Sequence, residues 1–69
     1  MSDLDQALLT AHVNDDKAAL VRLYTLAADG AGDIDAACFY LTHAYVFALE
    51  IGAPATAALH QRLLDHGRV

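Results

Sequence analysis

Apolar residues recur every three or four positions along most of the chain, which is the spacing of one face of an α-helix. Capping residues and glycines divide this pattern into four segments. We predict a first helix over residues 3–12, capped by Ser2, and a second that begins after Asn14 as N-cap and ends near residue 29. Gly30 is expected to end the second helix with a positive φ angle.

The second half of the chain repeats this arrangement. Asp33 is the predicted N-cap of a third helix, which runs to about residue 51 and ends at Gly52. Pro54 is expected as the first residue of a fourth helix, which ends near residue 66 before Gly67. Because the loops are short, consecutive helices should pack antiparallel. The pattern predicts an all-α fold of four short antiparallel helices in one domain, residues 1–69, built from two αα-hairpins over about 3–29 and 34–66.

Composition supports the helical prediction and suggests a partner chain. Fifteen Ala and eleven Leu stand against four Val and two Ile, so helix formers greatly outnumber β-branched residues. A 69-residue chain buries only about 60% of the surface exposed when unfolded. Cys38 is the only cysteine and cannot form an intrachain disulfide. We therefore expect a second protein subunit to supply the missing stability.

The third helix is apolar on nearly every side. Its alanines and Leu41 lie on one side, its aromatic residues on a second, and Val46 and Leu49 on a third. A helix of this kind is normally buried by several neighbours. Three other short helices are too few to cover it, so part of the helix should contact another chain.

Charge narrows the range of partners. The net charge is −5, and six aspartates fall at predicted helix starts, where they complement the macrodipole. The four Lys and Arg residues form no basic stripe, which argues against nucleic acid and anionic membranes as partners. The apolar run 36–51 is shorter than the roughly 20 residues of a spanning helix. With no export signal and a free thiol, a cytoplasmic location is expected.

Candidate chemistry is sparse. No two histidines have the i, i+3 or i, i+4 spacing of metal ligands on one helix, so no metal or cofactor is predicted. His12 and His60 are expected in solvent and His66 at the negative end of the fourth helix. His43 interrupts the most apolar helix and needs a polar partner, for which Tyr40, Glu50 or another subunit are candidates.

Motifs of catalysis are also missing. The sequence holds neither a nucleophile turn, nor HExxH, nor a phosphate-binding glycine loop. Cys38 has no Lys or Arg near it in sequence and is expected to be a small core residue. We therefore predict that the chain is not an enzyme.

The second hairpin resembles a tetratricopeptide repeat over residues 36–67. The matching residues are Leu41-Thr42 with Tyr45, then Ala48 and Gly52 at the end of the first helix, and Ala57 in the second. It departs from the family at Gln61, where an aromatic is preferred, and in lacking a terminal proline. The resemblance implies a scaffold that binds peptides or protein surfaces, with a groove side carried by Ala36, Phe39, His43 and Phe47.

Helical spacing separately places a mixed aromatic and polar set on one stripe: Phe39, Tyr40, His43, Phe47 and Glu50. We predict that this set is an interaction surface; the alternative is that its aromatics fill the core. The leading hypothesis is a non-catalytic adaptor or accessory subunit that forms a homodimer through the second and third helices. Two alternatives remain. One is a small-molecule binder with a pocket lined by Tyr40, His43, Tyr45 and Phe47, and the other is a small subunit of an enzyme.

Overall fold

The computed structural model describes residues 2–69, and this part of the chain is all-helical. The four helices are α1 (Asp3–Val13), α2 (Lys17–Asp29), α3 (Ile34–Ile51) and α4 (Thr56–Asp65). No β-strand is present in the described residues. The predicted fold class of four short helices is confirmed.

The helices pack in the order of the sequence. The largest contact is between α2 and α3, while α1 packs on α2 and α4 packs on α3. Over the described part of the chain, other helix pairs do not bring their backbones close together. The molecule measures 31 × 29 × 13 Å and is therefore flat. A helix in such a slab has fewer neighbours than one in a rounded bundle, so one side of α3 can remain uncovered.

Three helix boundaries follow the predicted capping residues. The Ser2 hydroxyl accepts a hydrogen bond from the Asp5 N–H, and the Asp33 carboxylate accepts one from the Ala36 N–H at 2.7 Å. These bonds satisfy N–H groups that have no partner within the helix. Gly52 ends α3 with a φ of 63°, a left-handed conformation that favours glycine. The starts of α1 and α3 and the end of α3 are therefore confirmed.

The start of α2 differs from the prediction. Asn14 closes α1 instead of capping α2, and Asp15 adopts a φ of 51°. The N-cap is Asp16, whose carboxylate accepts a hydrogen bond from the Ala19 N–H at 3.1 Å. Three consecutive residues can each cap a helix here, and the tight left-handed turn at Asp15 leaves the position to the last of them.

At the end of α2 and the start of α4, one prediction holds in part and one does not. The predicted end of α2 at Gly30 is confirmed, but Gly30 has a φ of −92° instead of a positive φ. Pro54 lies in a turn before α4, which begins at Thr56 instead. The Thr56 hydroxyl donates a hydrogen bond to the Ala53 carbonyl at 2.7 Å and closes this turn. Gly67 follows α4 with a φ of 69°, as expected of a terminating glycine.

The core lies between the inner side of α3 and its neighbours. Leu20, Leu41 and Leu63 are its largest fully buried side chains. Leu59, in the same helix as Leu63, is also buried. Ala55 is exposed, and Leu64 is 43% exposed. The later start of α4 moves Ala55 out of the helix and onto the surface.

Candidate interaction surface

The inner side of α3 combines one leucine with two alanines. Leu41, Ala44 and Ala48 are each 0% exposed and lie on one side of the helix. Because alanine adds little beyond the backbone, α2 can approach α3 closely along this side. The inner side fixes α3 in the slab and determines which of its residues point outward.

The outer side of α3 carries large apolar side chains. Phe39 is 60% exposed, Val46 45% and Leu49 53%, and Thr42 between them is also exposed. We call these four residues the outer stripe. Their spacing of three, four and three positions aligns them along one side of the helix, opposite the buried alanines. Single exposed apolar residues are ordinary, whereas a continuous row of them is typical of an interaction site.

An ion pair lies near each end of the outer stripe. At the amino end of α3, Arg68 donates a hydrogen bond to Asp35, which raises the pKa of the Arg68 guanidinium. At the carboxyl end, the Lys17 amine lies 2.9 Å from the Glu50 carboxylate, whose hydrogen bond raises the pKa of Lys17. Such exposed pairs add little stability. Each pair places one carboxylate and one cation near the stripe.

Two open depressions border the stripe. One has a volume of about 480 Å³ and is lined by Asp35, Cys38, Phe39, Thr42, His43 and Arg68. The other has a volume of about 220 Å³ and is lined by Thr42, His43, Val46 and Phe47. Both include Thr42 and His43, so they form a continuous shallow groove along α3. The groove is wide open to solvent, which suits a protein surface better than a small enclosed ligand.

A cluster of aromatic rings lies beside the stripe, between α2 and α3. Tyr24 is at its centre, with ring centroids 5.0 Å from His43 and 6.0 Å from Phe47. The Tyr24 hydroxyl is hydrogen-bonded to His12 Nε2 at 2.7 Å. Burial raises the pKa of Tyr24, and the nearby Tyr40 raises it further. The cluster therefore joins α1, α2 and α3 through rings that are distant in sequence.

His43 has a different partner from those expected. Its Nδ1 lies 2.9 Å from the Phe39 carbonyl oxygen, four residues earlier in α3. Since a carbonyl can only accept, Nδ1 carries the hydrogen. The ring is half-buried, stacked on Tyr24, and satisfied within its own helix. Neither Tyr40 nor Glu50 provides the hydrogen bond.

The five predicted surface residues do not share one environment: Phe39 and Glu50 are exposed, and Tyr40, His43 and Phe47 are half-buried. Phe39 is exposed as an interaction residue should be, whereas Tyr40 and Phe47 are partly buried and pack against the core. The alternative of core filling therefore describes Tyr40 and Phe47 better. Glu50 is on the surface and forms an ion pair with Lys17. The predicted set did not include the exposed Val46 and Leu49, although their spacing with Phe39 and Thr42 is present in the sequence.

His12 is exposed, as predicted, and is also hydrogen-bonded to Tyr24. His60 is half-buried instead of fully solvated and is stacked on Tyr45 with centroids 5.5 Å apart. Tyr45 therefore contacts α4, whereas Tyr40 lies with Tyr24 of α2. The predicted small-molecule pocket, which needs both tyrosines, is not assembled.

Cys38 is buried at 3% exposure, as predicted for a core residue. The expectation that no cation lies near it holds only in sequence, because Arg68 lines the same groove. Over residues 2–69, no three His, Cys, Asp or Glu side chains are grouped as metal ligands.

The apolar character of α3 also meets one criterion for a membrane helix. Its 18 residues have a mean hydropathy of 1.3, and 22% of them are buried. The run 36–51 is expected to be shorter than a spanning helix, whereas α3 begins at Ile34 and its 18 residues fall within the usual length range of spanning helices. Length and composition alone are weak evidence, since the core helix of a soluble protein can meet the same criterion.

No protein family, curated protein or solved structure matches the chain.

Proposed function

We propose that this protein is a non-catalytic protein–protein interaction module that self-associates and acts as an adaptor or accessory subunit. The observation that carries the proposal is the outer stripe, where Phe39, Val46 and Leu49 stand 45–60% exposed on one side of a helix. Covering such a row removes apolar surface from water and favours association. The contact partner is a protein surface in this proposal, and the expected location is the cytoplasm.

The total exposed surface of the chain is ordinary for its size, but the exposed apolar side chains are unevenly distributed over it. The accessible surface is 4239 Å². A monomeric protein of 7.4 kDa is expected to expose about 4,200 Å². The chain is thus no more open than other proteins of its size. Of the ten large exposed apolar side chains in the described residues, five are concentrated on α3: Ile34, Phe39, Val46, Leu49 and Ile51.

Competing functions have less support. A small-molecule binder needs an enclosed pocket with converging polar groups, and the grooves along α3 are shallow and open. Binding to nucleic acid needs a basic surface, and the four Lys and Arg residues include three that are paired with carboxylates. An accessory role in a larger assembly uses the same surface and is part of the proposal.

The test is the mass of the purified chain in solution. Sedimentation velocity over a wide concentration range should show a species of twice 7.4 kDa that dissociates on dilution. A parallel flotation assay with anionic and neutral lipid vesicles should leave the protein unbound. A chain that stays at 7.4 kDa at every concentration, or that floats with vesicles, would contradict the proposal.

A further inference from the structure

We propose that the outer stripe pairs with the outer stripe of a second copy, so that two α3 helices lie antiparallel across a two-fold axis. This inference rests on the proposed self-association and goes beyond it by naming the contact, its partner and its direction. Three observations carry it, and they concern spacing, charge and the asymmetry of the two helix ends.

The spacing indicates that the covering element is a helix. Phe39, Thr42, Val46 and Leu49 follow a three-four-three pattern, which is the seam spacing of two helices that pack side by side. A second helix places its side chains between those of such a seam. The groove beside Phe39 and Thr42, about 480 Å³ in volume, is open to receive side chains from it.

The charges next to the stripe favour a second copy over a basic or acidic partner. Asp35 with Arg68 at one end and Glu50 with Lys17 at the other give two carboxylates and two cations. The whole chain carries −5, so this balance is local. A strongly charged partner segment would find, among these four groups, no excess of the opposite charge. A second copy presents the same two ion pairs, so that the carboxylates and cations of the two chains can alternate in sign.

The two ends of α3 favour the antiparallel direction. The amino end carries Asp33 and Asp35 against a single cation, Arg68, whereas the carboxyl end carries Glu50 paired with Lys17. A parallel pair would bring four aspartates and two positive helix ends together. An antiparallel pair opposes the helix dipoles and places Arg68 near the negative end of the neighbouring helix. In that register Phe39 meets Leu49 of the second copy and Thr42 meets Val46.

The first test compares two leucines of equal exposure. Leu49 in the stripe is 53% exposed and Leu9 on α1 is 52% exposed. Leu49→Glu should raise the dimer dissociation constant by roughly 100-fold or more, because it places a carboxylate against Phe39 in both of the symmetry-related Phe39–Leu49 contacts. Leu9→Glu adds the same charge and should leave the constant within a few-fold of the original. Circular dichroism of both variants verifies that the helices persist.

The second test measures direction. Gly32 precedes α3, and a Cβ added there would have no atom within 4 Å, so Gly32→Cys can carry a spin label. A Cys38→Ala background restricts the label to that position. Pairing of Phe39 with Leu49 of the second copy separates the two labels by roughly 24 residues of helical rise, or about 36 Å. Double electron–electron resonance measures this distance. A parallel pair would give a distance between the labels well under about 36 Å.

The outcomes separate the two proposals. A dimer that loses affinity through Leu49→Glu alone and gives the long label distance supports both. A dimer that gives the short distance, or that is weakened equally by Leu9→Glu, retains self-association and overturns the antiparallel stripe. A monomer throughout overturns the proposed function and this inference with it.

Discussion

The two sides of α3 depart from the usual distribution of size in a helix. Its buried side carries Ala44 and Ala48 beside one large residue, Leu41, all 0% exposed, whereas its exposed side carries Phe39, Val46 and Leu49. Large apolar residues contribute most when they are buried. Here the alanines let α2 and α3 approach closely, and the large exposed residues contribute little to the isolated chain. We propose that the inner side serves folding and the outer side serves association.

The largest expected effect is on the free energy of unfolding, when one large side chain is truncated on each side of α3. Leu41→Ala should lower the free energy of unfolding by about 2–5 kcal/mol, because it leaves a cavity in the core. Phe39→Ala should change it by less than about 0.5 kcal/mol when both are compared in the Leu49→Glu background, where the contact between copies is weakened. Urea denaturation followed by circular dichroism measures both. Equal losses at the two sites would remove the distinction.

A smaller effect is expected from enlarging a residue on each side. Ala48→Leu should cost about 1–3 kcal/mol, because the close contact between helices has no room for the added atoms. Val46→Leu on the exposed side should leave the folded monomer unchanged within about 0.5 kcal/mol. Thermal unfolding of the two variants in the same background compares them. A stabilised Ala48→Leu would mean that the inner side is loosely packed.

The fold could be predicted from the sequence wherever a local signal had no competitor. Asp33 and Gly52 are the single strong signals at the two ends of α3, and both act there. Before α2, Asn14, Asp15 and Asp16 can all cap a helix. The choice among them depends on the turn between α1 and α2, which no local propensity specifies.

The candidate site was harder to predict, for a physical reason. Because α3 is apolar on nearly every side, its own pattern does not indicate which side its neighbours cover. That depends on where α2 and α4 pack, and this packing buries part of Phe47 and exposes Leu49. The bond between His12 and Tyr24 joins two helices and likewise has no signature in either helix alone.

A third prediction concerns two glycines on opposite ends of α3. Gly52 has a φ of 63°, so Gly52→Ala should lower the free energy of unfolding by about 1 kcal/mol. Gly32 has open space around it and no positive φ. Gly32→Ala should therefore be neutral or slightly stabilising, by up to about 0.5 kcal/mol, through a less flexible unfolded chain. Chemical denaturation of the two variants tests this, and a costly Gly32→Ala would contradict the assigned geometry.

The smallest expected effect is a dependence of folding stability on alkaline pH, through Tyr24 in the aromatic cluster. The pKa of Tyr24 in the folded chain is raised above its ordinary value of 10.0, so folding favours the protonated phenol. Its contribution is present below pH 10 and is lost as the pH rises through the folded pKa. The pKa of Lys17 changes in the same direction, above its ordinary value of 10.5. Tyr24→Phe should therefore show a shallower loss of stability above pH 10 in denaturation series, while an unchanged slope would exclude a role for Tyr24.

The central claim is that a second copy covers the outer stripe, and methyl-resolved NMR during dilution tests it most directly. The methyl signals of Val46 and Leu49 should shift together as the concentration falls, while those of Leu9 and Leu26, which are also exposed, stay in place. Signals of Val46 and Leu49 that do not depend on concentration, or shifts confined to Leu9 and Leu26, would contradict the account.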